Sequence, residues 1–209
     1  MFDTASTLMV RERVQTYLRP GEELLWYGRP DPAVVFGPGD LFMIPFSILW
    51  LAFAIFWESG VIRSGAGPFF AIWGIPFIAI GSYALAGRFI YKRINKKRTV
   101  YAITRNRAII VAGPVVSDMP LGGVPTTVRY SRAGSHASVT FGDLSGPPGR
   151  ESNVLGRRRR SPAYYANHYG NTGLEPLTRR SYLPFAFYDV ADPAAMLAAL
   201  AKAQAPANS

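Results

Sequence analysis

Two uncharged apolar runs decide what this chain can fold into. From Leu41 to Trp57 (LFMIPFSILWLAFAIFW) no side chain carries a charge and Ser47 is the only polar one, and Pro68 to Gly87 (PFFAIWGIPFIAIGSYALAG) is a second such run. A helix needs about 20 apolar residues to cross the hydrocarbon of a bilayer; the second run meets that length and the first lies near its lower limit. Two core helices of a soluble protein are the alternative. What is left of a 209-residue chain, however, is one small domain, too little to wrap both helices on every side. The reading is a membrane α-helical hairpin, with helices at 41–57 and 68–90 joined by an external loop at 58–67.

Basic residues orient the hairpin. Arg11, Arg13, Arg19 and Arg29 precede it, the loop has only Arg63, and Arg88, Lys92, Arg93, Lys96, Lys97 and Arg98 follow it. An excess of Lys and Arg marks the cytoplasmic side, so both termini are expected there, with Trp57 and Tyr91 as interfacial anchors. No cleaved signal peptide is expected, because the first apolar run begins some forty residues in. Pro45 and Pro76 are expected to kink the helices, and Gly74, Gly81, Ser82, Ala86 and Gly87 to admit close approach, within the hairpin rather than between copies. No Asp, Glu, Lys or His stands at mid-bilayer depth, which argues against transport.

Residues 1–40 read as an amphipathic helix over 4–18, with Leu8, Val10, Val14, Tyr17 and Leu18 on its apolar stripe, then a short strand at Leu24 to Tyr27. Residues 91–209 read as a mainly-β cytoplasmic domain. Short β-type runs at 99–104, 108–112, 115–121, 126–130 and 137–141 alternate with turn residues, which suggests an antiparallel meander closed into a barrel or sandwich. Val100, Ala102, Ile109 and Val111 share a core face, and the polar turn Thr104 to Arg107 between them accepts left-handed backbone at Asn106. A last strand at 183–190 precedes a helix at 192–204, opened by Asp192-Pro193, with Ala194, Met196, Leu197, Leu200 and Ala201 at helical spacing.

The entry L-x-P-G-E-E-L-L-W-Y-G-R-P (Leu18 to Pro30), the two apolar runs, the phrase Y-A-I-T-x-x-R-A-I-I (Tyr101 to Ile110) and the terminal helix together resemble bacterial membrane proteins that carry a pleckstrin-homology-like (bacterial PH) domain. The resemblance implies a bent antiparallel barrel of seven strands capped by the C-terminal helix, in a bacterial inner (plasma) membrane. It covers most of the chain but not 142–182, an insertion holding Gly146-Pro147-Pro148-Gly149 and Arg157 to Arg160.

A net charge of +10 calls for an anionic partner: acidic lipid headgroups, nucleic acid or an acidic protein. Candidate binding residues are Arg157, Arg158, Arg159 and Arg160 with Tyr164 and Tyr165 in the insertion, Arg105 and Arg107 at a hairpin tip, and Lys96, Lys97 and Arg98 in the stem after the second helix. Basic residues held at an anionic leaflet contribute on the order of 1 kcal/mol each, and anchoring makes headgroups the nearest anions. Arginines beside Tyr164, Tyr165 and Tyr169 are also the composition that stacks and neutralises single-stranded nucleic acid, the alternative reading. With no cysteine, disulfides and thiolate chemistry are excluded. No nucleotide-binding or hydrolase motif appears, His136 lacks a nearby carboxylate in sequence, His168 sits among tyrosines in the insertion where a surface role is expected, and Asp118, Asp143, Glu151 and Glu175 are scattered. The function expected is a membrane-anchored binding or scaffold module, without catalysis, metal or cofactor, that takes a protein partner or anionic lipid.

Overall fold

The computed structural model describes residues 4–37, 39–131, 133–142, 171–174 and 185–205. They divide into two compact units, one β-rich (residues up to 33, 94–171 and 185 onward) and one helical (34–93 with 172–174).

In the helical unit, α2 (Asp40–Ser64) follows the earlier helix α1 (Thr4–Gln15) and strand β1 (Leu24–Gly28), both of which belong to the β-rich unit. Its 25 residues rise about 37 Å at 1.5 Å each. After a break at 65–67, α3 (Pro68–Ser82) passes through a π-helical turn, Tyr83–Gly87, into α4 (Arg88–Arg98). Both helices are long and apolar enough to cross a membrane, and only 17% and 11% of their most apolar stretches are buried, unlike core helices of a soluble protein.

The expected loop at 58–67 shrinks accordingly. The hydroxyls of Ser59 and Ser64 donate to the carbonyls of Phe56 and Val61, and Gly65, at φ +65°, ends the helix by giving its N–H to Ile62. Apolarity stops at Glu58, but helix geometry does not. The second helix likewise outruns its apolar stretch as far as Arg98, because Lys, Arg and Asn continue a helix after hydrophobicity has ended. Pro45 and Pro76 sit inside α2 and α3, which run on past them.

The helices are antiparallel neighbours: Trp50 Nε1 donates to the Phe77 carbonyl at 3.2 Å, Gly81 lies against Trp50 and Leu51, and Gly74 lies against Glu58 and Trp57. Buried Ser47, Ala54, Gly74 and Gly81 are thus used inside the hairpin.

In the β-rich unit, β1, β2 (Thr99–Thr104), β3 (Arg107–Ala112) and β4 (Val115–Pro120) form one antiparallel sheet in that order. A second comprises β5 (Thr126–Tyr130), β6 (Ala137–Phe141) and β7 (Ala186–Val190). Helix α5 (Pro193–Gln204) closes the chain, its N-terminus capped by the Asp192 carboxylate accepting the Ala195 N–H at 3.2 Å. Turns fall at the predicted places between the strands of each sheet. At Gly113-Pro114, for example, glycine supplies φ +61° that a side chain would resist.

Alternation in β2 and β3 predicts one buried face, yet β2 is buried along its whole length. Tyr101, Ile103 and Ala108 face the main core with Val139, Phe141, Phe187, Met196 and Leu200 from the other sheet and α5. Val100, Ala102, Ile109 and Val111 face a second cluster with Val10, Val14 and Leu18, because α1 covers the outer face of the sheet. Leu8 and Tyr17, expected on the α1 stripe, are exposed. In α5 the buried positions are Met196, Ala199 and Leu200, whereas Ala194 and Ala201 are exposed.

Candidate functional site

The basic residues singled out from sequence fall into three groups. Arg157, Arg158, Arg159, Arg160, Tyr164 and Tyr165 lie outside the described residues, as do most of 142–182. Lys97 and Arg98 are exposed at the end of α4. The other three are engaged in ion pairs.

Arg105 stands in the β2–β3 turn, half exposed, with Nη2 3.0 Å from Glu23 Oε2, and Glu23 also takes Lys202 Nζ at 3.2 Å. Arg107, expected at an exposed tip, is 11% exposed. Its Nε and Nη2 hold both oxygens of Glu22 at 2.8 Å, Nη1 holds Asp118 at 2.8 Å, and Nη2 also reaches the Tyr17 carbonyl at 3.0 Å. The Arg107 guanidinium beside it pulls the Glu22 carboxyl down to about 2, against the opposing effect of burial. The turn itself needs no left-handed Asn106: the Thr104 hydroxyl accepts the N–H groups of Asn106 and Arg107, at 3.3 and 3.1 Å. Glu22, just before β1, is therefore locked onto the β2–β3 hairpin.

Lys96 is buried, and its ammonium lies 2.5 Å from Asp189 Oδ2 and 3.2 Å from the Asp31 carbonyl. Asp189 is the centre of a polar knot. Asn171 donates to the same oxygen at 2.5 Å, the Asp189 N–H goes to Ser138 Oγ at 2.9 Å, and its carbonyl accepts the Asp31 N–H at 2.9 Å. Its φ of +50° is unfavourable for a side chain and is held by these partners on every side.

Asp31 connects the knot to His136, whose Nε2 lies 2.9 Å from Asp31 Oδ2 and whose Nδ1 lies 2.9 Å from Ser135 Oγ. A neutral ring protonated on Nε2 satisfies both. Burial raises the Asp31 carboxyl, but the Ala33 N–H and the His136 ring outweigh it and the group ends below its ordinary value. The Ser–His–Asp line ends on an exposed turn at Ser135, in bulk water rather than an enclosed site. Sequence reasoning paired His136 with nothing, because its carboxylate lies 105 positions away.

The helical unit also withdraws charges from water. Arg88, counted from sequence only as a cytoplasmic marker, has a side chain 1% exposed and pairs with Asp40 at 2.6 Å. Glu58 is buried in α2 with Oε2 unpartnered among the described residues, where a Cβ on Gly74 would overlap it. Exposed Ile90, Ile94, Arg93, Lys97 and Arg98 share α4 with buried Arg88, Lys92 and Lys96. Among the described residues no group of three His, Cys, Asp or Glu could hold a metal.

No protein-family model, curated protein or solved structure matches the chain.

Proposed function

We propose that the chain is a membrane-anchored binding module: the helical pair spans a bacterial plasma membrane and holds a PH-like domain at its cytoplasmic face, where the domain binds anionic headgroups or a protein partner. The observation that carries this reading is the pairing of β1 with β2. Tyr27 stands opposite Ala102 and Gly28 opposite Tyr101, so the chain before the helices and the chain after them enter one sheet. Two spans satisfy that requirement, since an even number returns the chain to the side it left. Sheets of four and three strands followed by a core-packed helix support the PH-like part of the reading, and exposed Ile90 and Ile94 interleaved with Arg93 and Lys97 suit a headgroup boundary.

The chain has no cysteine, so single cysteines report sidedness directly. Ser64→Cys should react with an impermeant maleimide from outside intact cells, and Ala205→Cys only after the membrane is opened. Reaction of both from the outside, or release of the protein by alkaline wash, would overturn the membrane reading.

A further inference from the structure

The helical unit holds a buried cation with an unused binding edge. Arg88 Nη1 is 2.6 Å from Asp40 Oδ1, but Nε and Nη2, both buried, have no hydrogen-bond partner among the described residues. These two atoms form one side of the guanidinium fork, the side that an oxoanion takes with two parallel hydrogen bonds. Leaving charged donors dry and unpaired is costly, and such orphans in folded proteins commonly mark an absent ion or water.

The surroundings suit an anion. Asp40 is the first helical residue of α2, a 25-residue helix with no side-chain cap, so the guanidinium lies at the positive end of the helix dipole. Asp40 turns its other oxygen back to the Gly37 N–H at 2.6 Å. One turn further along α4, Lys92 Nζ reaches the Val35 carbonyl at 2.7 Å and would stand 4.0 Å from a Cβ on Gly37. Because α2 and α3 are antiparallel, this is the end of the helical pair where the chain enters α2 and leaves for α4. In the membrane reading that is the depth of cytoplasmic headgroup phosphates.

We infer that the Nε–Nη2 edge of Arg88, at the start of α2, is a binding site for a phosphate oxyanion, supplied by an anionic phospholipid headgroup. The headgroup assignment rests on the membrane reading above, whereas the oxyanion site does not.

The test is native mass spectrometry of the full chain in a phosphate-free maltoside detergent, with added phosphatidylglycerol, phosphatidylcholine or inorganic phosphate. The wild type should retain one phosphatidylglycerol per chain in preference to phosphatidylcholine. Arg88→Lys keeps the charge but loses the fork, and should lower that retention on the order of ten-fold. Asp40→Asn frees Nη1 without touching the fork and should keep it. Binding of inorganic phosphate to the wild type with displacement of the lipid, abolished in Arg88→Lys, would support the oxyanion site and overturn its lipid source. Equal retention of the two lipids with no phosphate binding, or undiminished retention in a folded Arg88→Lys, would overturn the site. If Arg88→Lys does not fold, loss of the lipid from Asp40→Asn overturns it instead, since that result makes the ion pair the whole role of Arg88. Release by alkaline wash sinks the membrane reading; a chain that stays in the membrane but shows no lipid preference or phosphate binding sinks this site alone.

Discussion

Glu22→Gln tests whether the lock between the segment before β1 and the β2–β3 hairpin stabilises the β-rich unit. The substitution keeps the shape of the side chain and removes the charge that Arg107 holds at 2.8 Å. A carboxyl drawn from 4.5 to about 2 corresponds to about 3 kcal/mol of stability at pH 7, which partial screening by nearby water reduces to about 2 kcal/mol. The sign follows from the direction. The folded-state pKa is depressed, so the contribution is complete above the unfolded value of 4.5 and disappears as pH falls toward about 2. Urea unfolding in detergent, followed by near-ultraviolet circular dichroism, should show the variant about 2 kcal/mol weaker at pH 7. Because other acids titrate in the same range, the quantity to follow is the gap between wild type and variant, which should close across that window. Equal stability at pH 7, or a gap that persists in strong acid, would refute the reasoning.

Three further outcomes follow from the packing. Gly81→Leu pushes a side chain into Trp50 and Leu51, which already lie 3.0 to 3.2 Å from where a Cβ would stand; it should cost about 1–3 kcal/mol, read as a lower melting temperature and a lower yield of disulfide crosslinking between cysteines placed on α2 and α3. Asp31→Asn weakens the His136 contact and should lose about 1 kcal/mol at neutral pH. Since the Asp31 carboxyl is also depressed, that loss should vanish in acid, which urea titrations at the two pH extremes would check. Met196→Ala empties a fully buried position of the main core and should cost about 2–5 kcal/mol, measured as a shift of the urea midpoint at constant slope.

Most of the element order was legible in the sequence, because it rests on local periodicity and local breakers. The predicted strands at 99–104, 126–130 and 137–141 coincide with β2, β5 and β6, where alternating β-branched residues end at polar turns. Element ends were less legible: α2 and α4 run past their apolar stretches because helix propensity and hydrophobicity part company at Glu58 and Gly87. The basic residues were visible but their partners were not. Lys96, Arg107 and Lys97 look alike in sequence, and nothing near them shows that two are bound to distant carboxylates while the third is exposed.

By itself, the sequence determined two spanning-length apolar helices, a β-rich remainder and a basic surplus, since each follows from composition and spacing along the chain. Only the tertiary structure decided which charges remain available. Glu22 reaches Arg107 across 85 positions, Asp189 reaches Lys96 across 93, and Asp31 reaches His136 across 105. Whether a cation is spent inside the fold or left for a ligand depends on which distant carboxylate the fold brings within about 3 Å, and chain spacing carries no record of that distance.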